Sequence, residues 1–228
     1  MNWRIEGAPD TSLPEADDAG MYDIEVERDG GQKARFSLNI PGDASADSAS
    51  LMLILHYGGQ PTRYYGRPLI EQLFAPALAP LNAYFVAPEA IDGPWHTETN
   101  ESFVLSLVDD VCSRYAINPA RVIVGGYSMG AMGTWHLLEH YPERFVAGVP
   151  VAGFPSQPLK SEAPVFAFHS SSDELFPLDR LETAVTEARE RGVAIELTLA
   201  AVNGHYDVFG YRDVLSNAAR PLAELLRA

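Results

Sequence analysis

From residue 51 onward the chain alternates short apolar runs with stretches of helical spacing. Leu51-Met52-Leu53-Ile54-Leu55 is apolar at every position, as a strand buried on both faces would be. Similar runs fall at residues 84–87, 122–124, 145–151, 165–168 and 193–199. Between them, Val104, Val108, Val111, Cys112 and Tyr115 share one helical face, and so do Leu181, Ala184, Val185 and Ala188. Strands alternating with helices predict a three-layer α/β fold, a mostly parallel sheet covered on both faces. Ahead of this block, residues 22–28 and 34–40 alternate apolar and polar positions around Asp29-Gly30-Gly31. That pattern predicts a hairpin adding antiparallel strands at one sheet edge. A polar loop is expected over 41–50, and a closing helix over 211–226 interrupted by Pro221. Residues 7–20 are rich in Pro, Gly and acid, so 1–20 is expected to be a loose arm and 21–228 a single domain.

Composition narrows the classes of function. The 228 residues are 46% hydrophobic, enough for one sizeable core. Sixteen Lys and Arg against 31 Asp and Glu give a formal net charge of −15. Such a chain repels phosphate backbones and anionic lipid heads, which argues against nucleic-acid and membrane-surface partners. The one cysteine, Cys112, excludes an internal disulfide framework and a Cys-rich zinc site. No basic-then-apolar leader and no long apolar span is visible, so a cytoplasmic location is expected. A homo-oligomer is left open.

The strongest chemical signal is Gly126-Tyr127-Ser128-Met129-Gly130. The five-residue pattern alone is a weak signal, since chance matches occur, so its context decides. An apolar strand (122–124) precedes it and a helical stretch (131–141) follows. A strand-to-helix elbow holds the hydroxyl above the sheet beside a helix N-terminus, with Gly at neighbouring positions where a Cβ would collide. The bland alternative is a Gly-rich turn with an incidental Ser. A Ser hydroxyl needs a base, and the base an orienting acid. In an open parallel sheet both should lie beyond the carboxyl ends of later strands. Asp173, after the strand at 165–168, and His205, after that at 193–199, meet this condition, in the order Ser, Asp, His.

These segments resemble the α/β-hydrolases, and within them the compact branch of phospholipase/carboxylesterases, polyhydroxyalkanoate-depolymerase-like and feruloyl-type esterases. The resemblance covers residue 50 to the end. Leu55-His56-Tyr57-Gly58-Gly59-Gln60 is similar to the family's oxyanion loop, with Tyr57 where Gly is usual. The run from Ile117 to Val122 is similar to its approach to the nucleophile. His169 to Asp173 followed by Phe176-Pro177 resembles its acid segment, with Ser170 in place of Gly, and Gly204-His205 resembles its histidine loop. The resemblance implies Ser128 as nucleophile, His205 as base and then acid, and Asp173 as orienter. It also implies backbone N–H donors at Gly58 and Met129, and no cofactor. The activity implied is hydrolysis of small carboxylic esters, with thioesters or small amides as the alternative and a non-catalytic binding domain as the bland one.

Competing assignments exist. Asp207 lies two residues from His205, and Asp179 is placed to cap a helix. His56 and His169 are expected to brace their loops. His136-Leu137-Leu138-Glu139-His140 reads as an inverted zinc-hydrolase motif, but also as two histidines at the end of the helix after Ser128. Tyr57, Tyr64, Tyr65, Trp95, Phe154 and Phe176 are aromatic candidates for the pocket, and Tyr57, Trp95 and Phe176 are taken as substrate contacts. The link 152–164 holds three prolines and no helical periodicity. It is too short for a lid, which predicts an open pocket suited to short acyl groups.

Overall fold

The computed structural model describes residues 2–5, 14–27, 31–42 and 49–227. The tip of the expected hairpin (28–30) and most of the loop expected at 41–50 lie outside the described residues.

Nine strands form one sheet among the described residues. They are β1 (Asn2–Ile5), β2 (Gly20–Glu27), β3 (Lys33–Ile40), β4 (Leu51–Leu55) and β5 (Tyr84–Pro88). There follow β6 (Val122–Tyr127), β7 (Ala147–Val151), β8 (Val165–His169) and β9 (Ile195–Leu199). Their spatial order is β1-β2-β3-β5-β4-β6-β7-β8-β9. Pairing is antiparallel from β1 to β5 and parallel from β5 to β9. The hairpin is β2–β3, at the predicted edge. One expectation needs correction. Within the arm expected over 1–20, residues 2–5 pair with β2 as an outermost strand, Asn2 opposite Glu27. Backbone pairing at an open sheet edge needs no apolar periodicity, so the pattern did not reveal it. Pro14 is also tied down, its carbonyl accepting from the Tyr115 hydroxyl at 3.0 Å.

The continuous apolar strands are explained by the two cores. Leu51, Leu53 and Leu55 of β4 face one core, and Met52 and Ile54 face the other. The first core is closed by α1 (Glu98–Arg114), α2 (Met129–His140) and α3 (Leu178–Glu190). The second is closed by helical turns over 67–81 and by the C-terminal segments. The turns at 67–81 escaped the periodicity because Pro68, Pro76 and Pro80 break it into pieces. The closing helix is also divided. A 3₁₀ turn (Ser216–Ala218) separates Arg212–Leu215 from α4 (Ala219–Leu225). Pro221 lacks an N–H and its ring crowds the carbonyl four residues back, at Asn217, so the break precedes the proline.

Leu55 lies opposite Gly126 in register. The chain leaves β4 toward β5 on one side and returns to β6 on the other. The carboxyl ends of β4 and β6 therefore flank the point where the strand order reverses, where open α/β sheets place their ligands.

Candidate active site

Ser128 stands between β6 and α2 with φ 56° and ψ −115°, a backbone region that costs a non-Gly residue about 1–3 kcal/mol. Close packing maintains the turn. A Cβ on Gly130 would fall 1.9 Å from the Leu55 carbonyl oxygen, and one on Gly126 would fall 2.5 Å from that of Gly130. Only glycine at both positions lets α2 start directly against β4.

The three residues expected to share chemistry come together. The Ser128 hydroxyl lies 2.8 Å from His205 Nε2, and His205 Nδ1 lies 2.8 Å from Asp173 Oδ2. An ionised carboxylate only accepts, so Nδ1 carries the proton and Nε2 is free to accept from Ser128. The second Asp173 oxygen accepts from the N–H groups of Leu175 and Phe176, at 2.9 and 2.8 Å. The imidazole and carboxylate are buried, and Ser128 is partly accessible. The rival acids are engaged elsewhere: Asp207 accepts from the Asn203 backbone at 3.0 Å, and Asp179 from the N–H of Arg180 at 2.9 Å.

The loop after β4 lies beside this array. His56 is buried between Trp95 and Tyr65, with ring centroids 4.8 and 5.1 Å away. Its Nε2 accepts from the Ala90 N–H at 3.0 Å, so Nδ1 carries the proton and donates to the Tyr57 carbonyl at 2.7 Å. Burial pushes its pKa below the ordinary range, which keeps the ring neutral. A trans peptide sets C=O and N–H in opposite directions. Fixing the Tyr57 carbonyl on His56 therefore turns the Gly58 N–H away from that ring. Gly58 also neighbours Met129, since a Cβ built on it would sit 3.7 Å from Met129 Cβ. Met129 opens α2, where N–H groups have no partner within the helix.

A pocket of about 510 Å³ opens over Ser128, lined among others by Tyr57, Tyr65, Tyr127, Leu175, Tyr206 and Val208. Tyr57 lies where expected, and its ring packs edge-on against Tyr65 at 4.9 Å. Its φ is not positive, so the loop accepts a side chain there. Two expected substrate contacts are corrected. Trp95 is 2% exposed and its indole N–H donates to the His56 carbonyl at 2.8 Å, so it braces the loop from within. Phe176 packs beside the His205 ring, with centroids 5.2 Å apart and planes at 31°, and is not among the residues lining this pocket. His169 holds the acid loop, donating from Nε2 to the Phe176 carbonyl at 2.7 Å.

Two positioning contacts were not legible in the sequence. The Glu174 carboxylate accepts from the backbone N–H of His205 at 2.8 Å, and the Tyr127 hydroxyl donates to the His205 carbonyl at 2.6 Å. No motif signals either, because they join residues 31 and 78 apart. The inverted zinc motif is not assembled. His136 Nε2 pairs with Glu101 at 2.6 Å, His140 Nδ1 with the His136 carbonyl at 2.9 Å, and the Glu139 carboxylate accepts from the Lys160 N–H.

No family model matches the chain. It is 27% identical over 154 residues to the putative esterase NocK of Nocardia uniformis subsp. tsuyamanensis, covering 62% of this chain and 45% of that protein. It is 38% identical over 66 residues to acetylxylan esterase A of Emericella nidulans, covering 29% of this chain and 22% of that protein. The chain spans less than half the length of each curated relative it matches. Among solved structures, a thermostable esterase superposes with a TM-score of 0.69 at 18% identity, over 90% of this chain and 62% of that one. Together with the sheet order and the elbow, this likeness shows that the chain has the α/β-hydrolase fold.

Proposed function

We propose that the chain is a serine esterase that hydrolyses short-acyl carboxylic esters, with Ser128 as nucleophile, His205 as base and acid, and Asp173 as orienter. The reading rests on one observation, the hydrogen-bonded chain from Ser128 Oγ through both nitrogens of His205 to Asp173. The esterase names of the relatives support it. His205 Nε2 takes the Ser128 proton as Oγ bonds to the ester carbon. The carbonyl oxygen becomes an oxyanion that accepts from the N–H groups of Met129 and Gly58. Asp173 offsets the charge of the imidazolium. When the tetrahedral species collapses, the bond to the leaving oxygen breaks, and that oxygen takes the proton from Nε2. Water then gives its proton to Nε2 and attacks the acyl-serine. The second collapse frees the acid, and the proton returns to Ser128.

Ser128→Ala should lower kcat on p-nitrophenyl acetate by about 10⁴–10⁶ with an unchanged thermal melt. A fluorophosphonate probe should label Ser128, located by mass mapping. Turnover near that of the wild type in Ser128→Ala would overturn the reading.

A further inference from the structure

We propose that this site chooses its ester by the alcohol part, and that this part presents a flat, ring-shaped apolar face that stacks on Tyr206. The inference rests on the esterase reading above. In that reaction the leaving oxygen takes its proton from His205 Nε2, so whatever it carries extends over the His205 side of the pocket. The lining there includes Tyr206, whose ring centroid lies 5.6 Å from that of His205, and Leu175, whose N–H donates to Asp173, whereas Tyr57 and Tyr65 pack on each other beside Gly58 and Gly59.

Three large hydrophobic side chains stand exposed among the described residues, and two of them belong to this lining, Tyr206 at 76% and Leu175 at 51%. A single exposed apolar side chain is ordinary, but a pair converging on a reactive centre marks a contact surface. The Tyr206 ring meets the His205 ring edge-to-face, with centroids 5.6 Å apart and planes at 89°. Its root is fixed, because the preceding backbone is held at its N–H by Glu174 and at its carbonyl by Tyr127. A ring held this way offers contact area with few torsions left to order. Charge narrows the choice further. Glu174, beside Leu175, is held below the usual carboxylate range by the His205 N–H, and the chain carries a net charge of −15. An anionic alcohol is therefore repelled. What fits is a neutral ring, either an aromatic ring or the CH face of a sugar.

The test keeps the acyl group at acetyl and varies the alcohol: n-butyl, cyclohexylmethyl and benzyl acetate, and a mono-acetylated methyl glucoside. The wild type should prefer benzyl acetate or the acetylated glucoside over n-butyl acetate by about tenfold in kcat/KM, with cyclohexylmethyl, a chair like the sugar but without an aromatic face, below benzyl acetate if the ring is aromatic. Whichever of the two leads identifies the source of the ring. Tyr206→Phe should keep the preference and Tyr206→Ala should erase it. Because Tyr206 is exposed, both variants should fold. Hydrolysis of n-butyl acetate at least as fast as of both ring esters, or a preference that survives in Tyr206→Ala, would overturn the inference and leave the esterase reading standing. Failure to turn over any acetate, with no probe label on Ser128, would overturn both.

Discussion

His205 is fixed through both ring nitrogens and both backbone polar groups, by Ser128, Asp173, Glu174 and Tyr127. The Glu174 contact is the most open to test, because it ties the acid loop to the histidine loop without touching the reacting atoms. Gly204 shows how tightly the two loops approach: a Cβ there would fall 2.7 Å from Glu174 Oε2. Glu174→Ala should lower kcat by about three- to tenfold at nearly unchanged KM, by loosening the alignment of the imidazole. Glu174→Gln keeps an acceptor oxygen and should recover most of the loss. Equal kinetics for wild type and Glu174→Ala would refute the positioning role. Two other histidines set a pH dependence of stability. Burial pushes His56 and His169 below the ordinary value of 6.5, so both are neutral in the fold. Below 6.5 the unfolded chain binds more protons at these rings than the folded chain does. Their stabilisation is complete above that pH and is lost as pH falls toward the depressed folded values. Thermal melts should give a steady Tm from pH 8 to 7 and a decline below about 6.5. A profile flat down to pH 5 would contradict the assignment of two neutral buried rings.

At the scale of elements, the junction of β4, β6 and α2 decides whether the site exists. Alanine at Gly130 would gain about 1 kcal/mol of helix propensity. It would also drive a methyl into the carbonyls of Leu55 and His56, which are backbone and cannot swing aside. Overpacking of that kind costs about 1–3 kcal/mol or more, so the clash wins. Gly130→Ala should lower the urea midpoint and displace Ser128. Gly192 provides the contrast. It has φ +91° and no heavy atom within 4 Å of a built Cβ, so alanine there meets backbone strain alone. Gly192→Ala should cost about 1 kcal/mol and leave kcat unchanged. Equal loss of activity in the two variants would show that packing at Gly130 is not what shapes the elbow.

For the whole molecule, the decisive feature is the link from β7 to β8. Residues 152–164 form no helix and no cap over the Ser128 pocket. An open pocket buries few methylenes, and each contributes about 0.8 kcal/mol only while it is removed from water. On p-nitrophenyl esters the rate should therefore peak at roughly two to six acyl carbons and show no jump at the substrate's solubility limit. A maximum at about twelve carbons or beyond would require a long groove running from Ser128, which the residues lining this pocket do not form. The same surface has no helix among its described residues long and apolar enough to cross a membrane.

Much of this is legible in the amino-acid sequence itself. Strand runs, helix faces and the elbow follow from period and local turn chemistry, which act within a few residues and so leave a mark in the sequence. The order Ser128, Asp173, His205 was legible for a related reason, since each residue follows a recognisable strand. Tertiary structure alone decided the rest. Trp95 follows β5 as a pocket residue would, but its indole turns inward to a carbonyl 39 residues away. The strand at residues 2–5 exists because β2 offers an open edge. Glu174 and Tyr127 hold His205 from 31 and 78 residues away, and the exposure of Tyr206 depends on what does not cover it. Local periodicity reports which side of an element is buried. Which distant backbone group a side chain finds there depends on packing across the sheet, and no short window of sequence contains it.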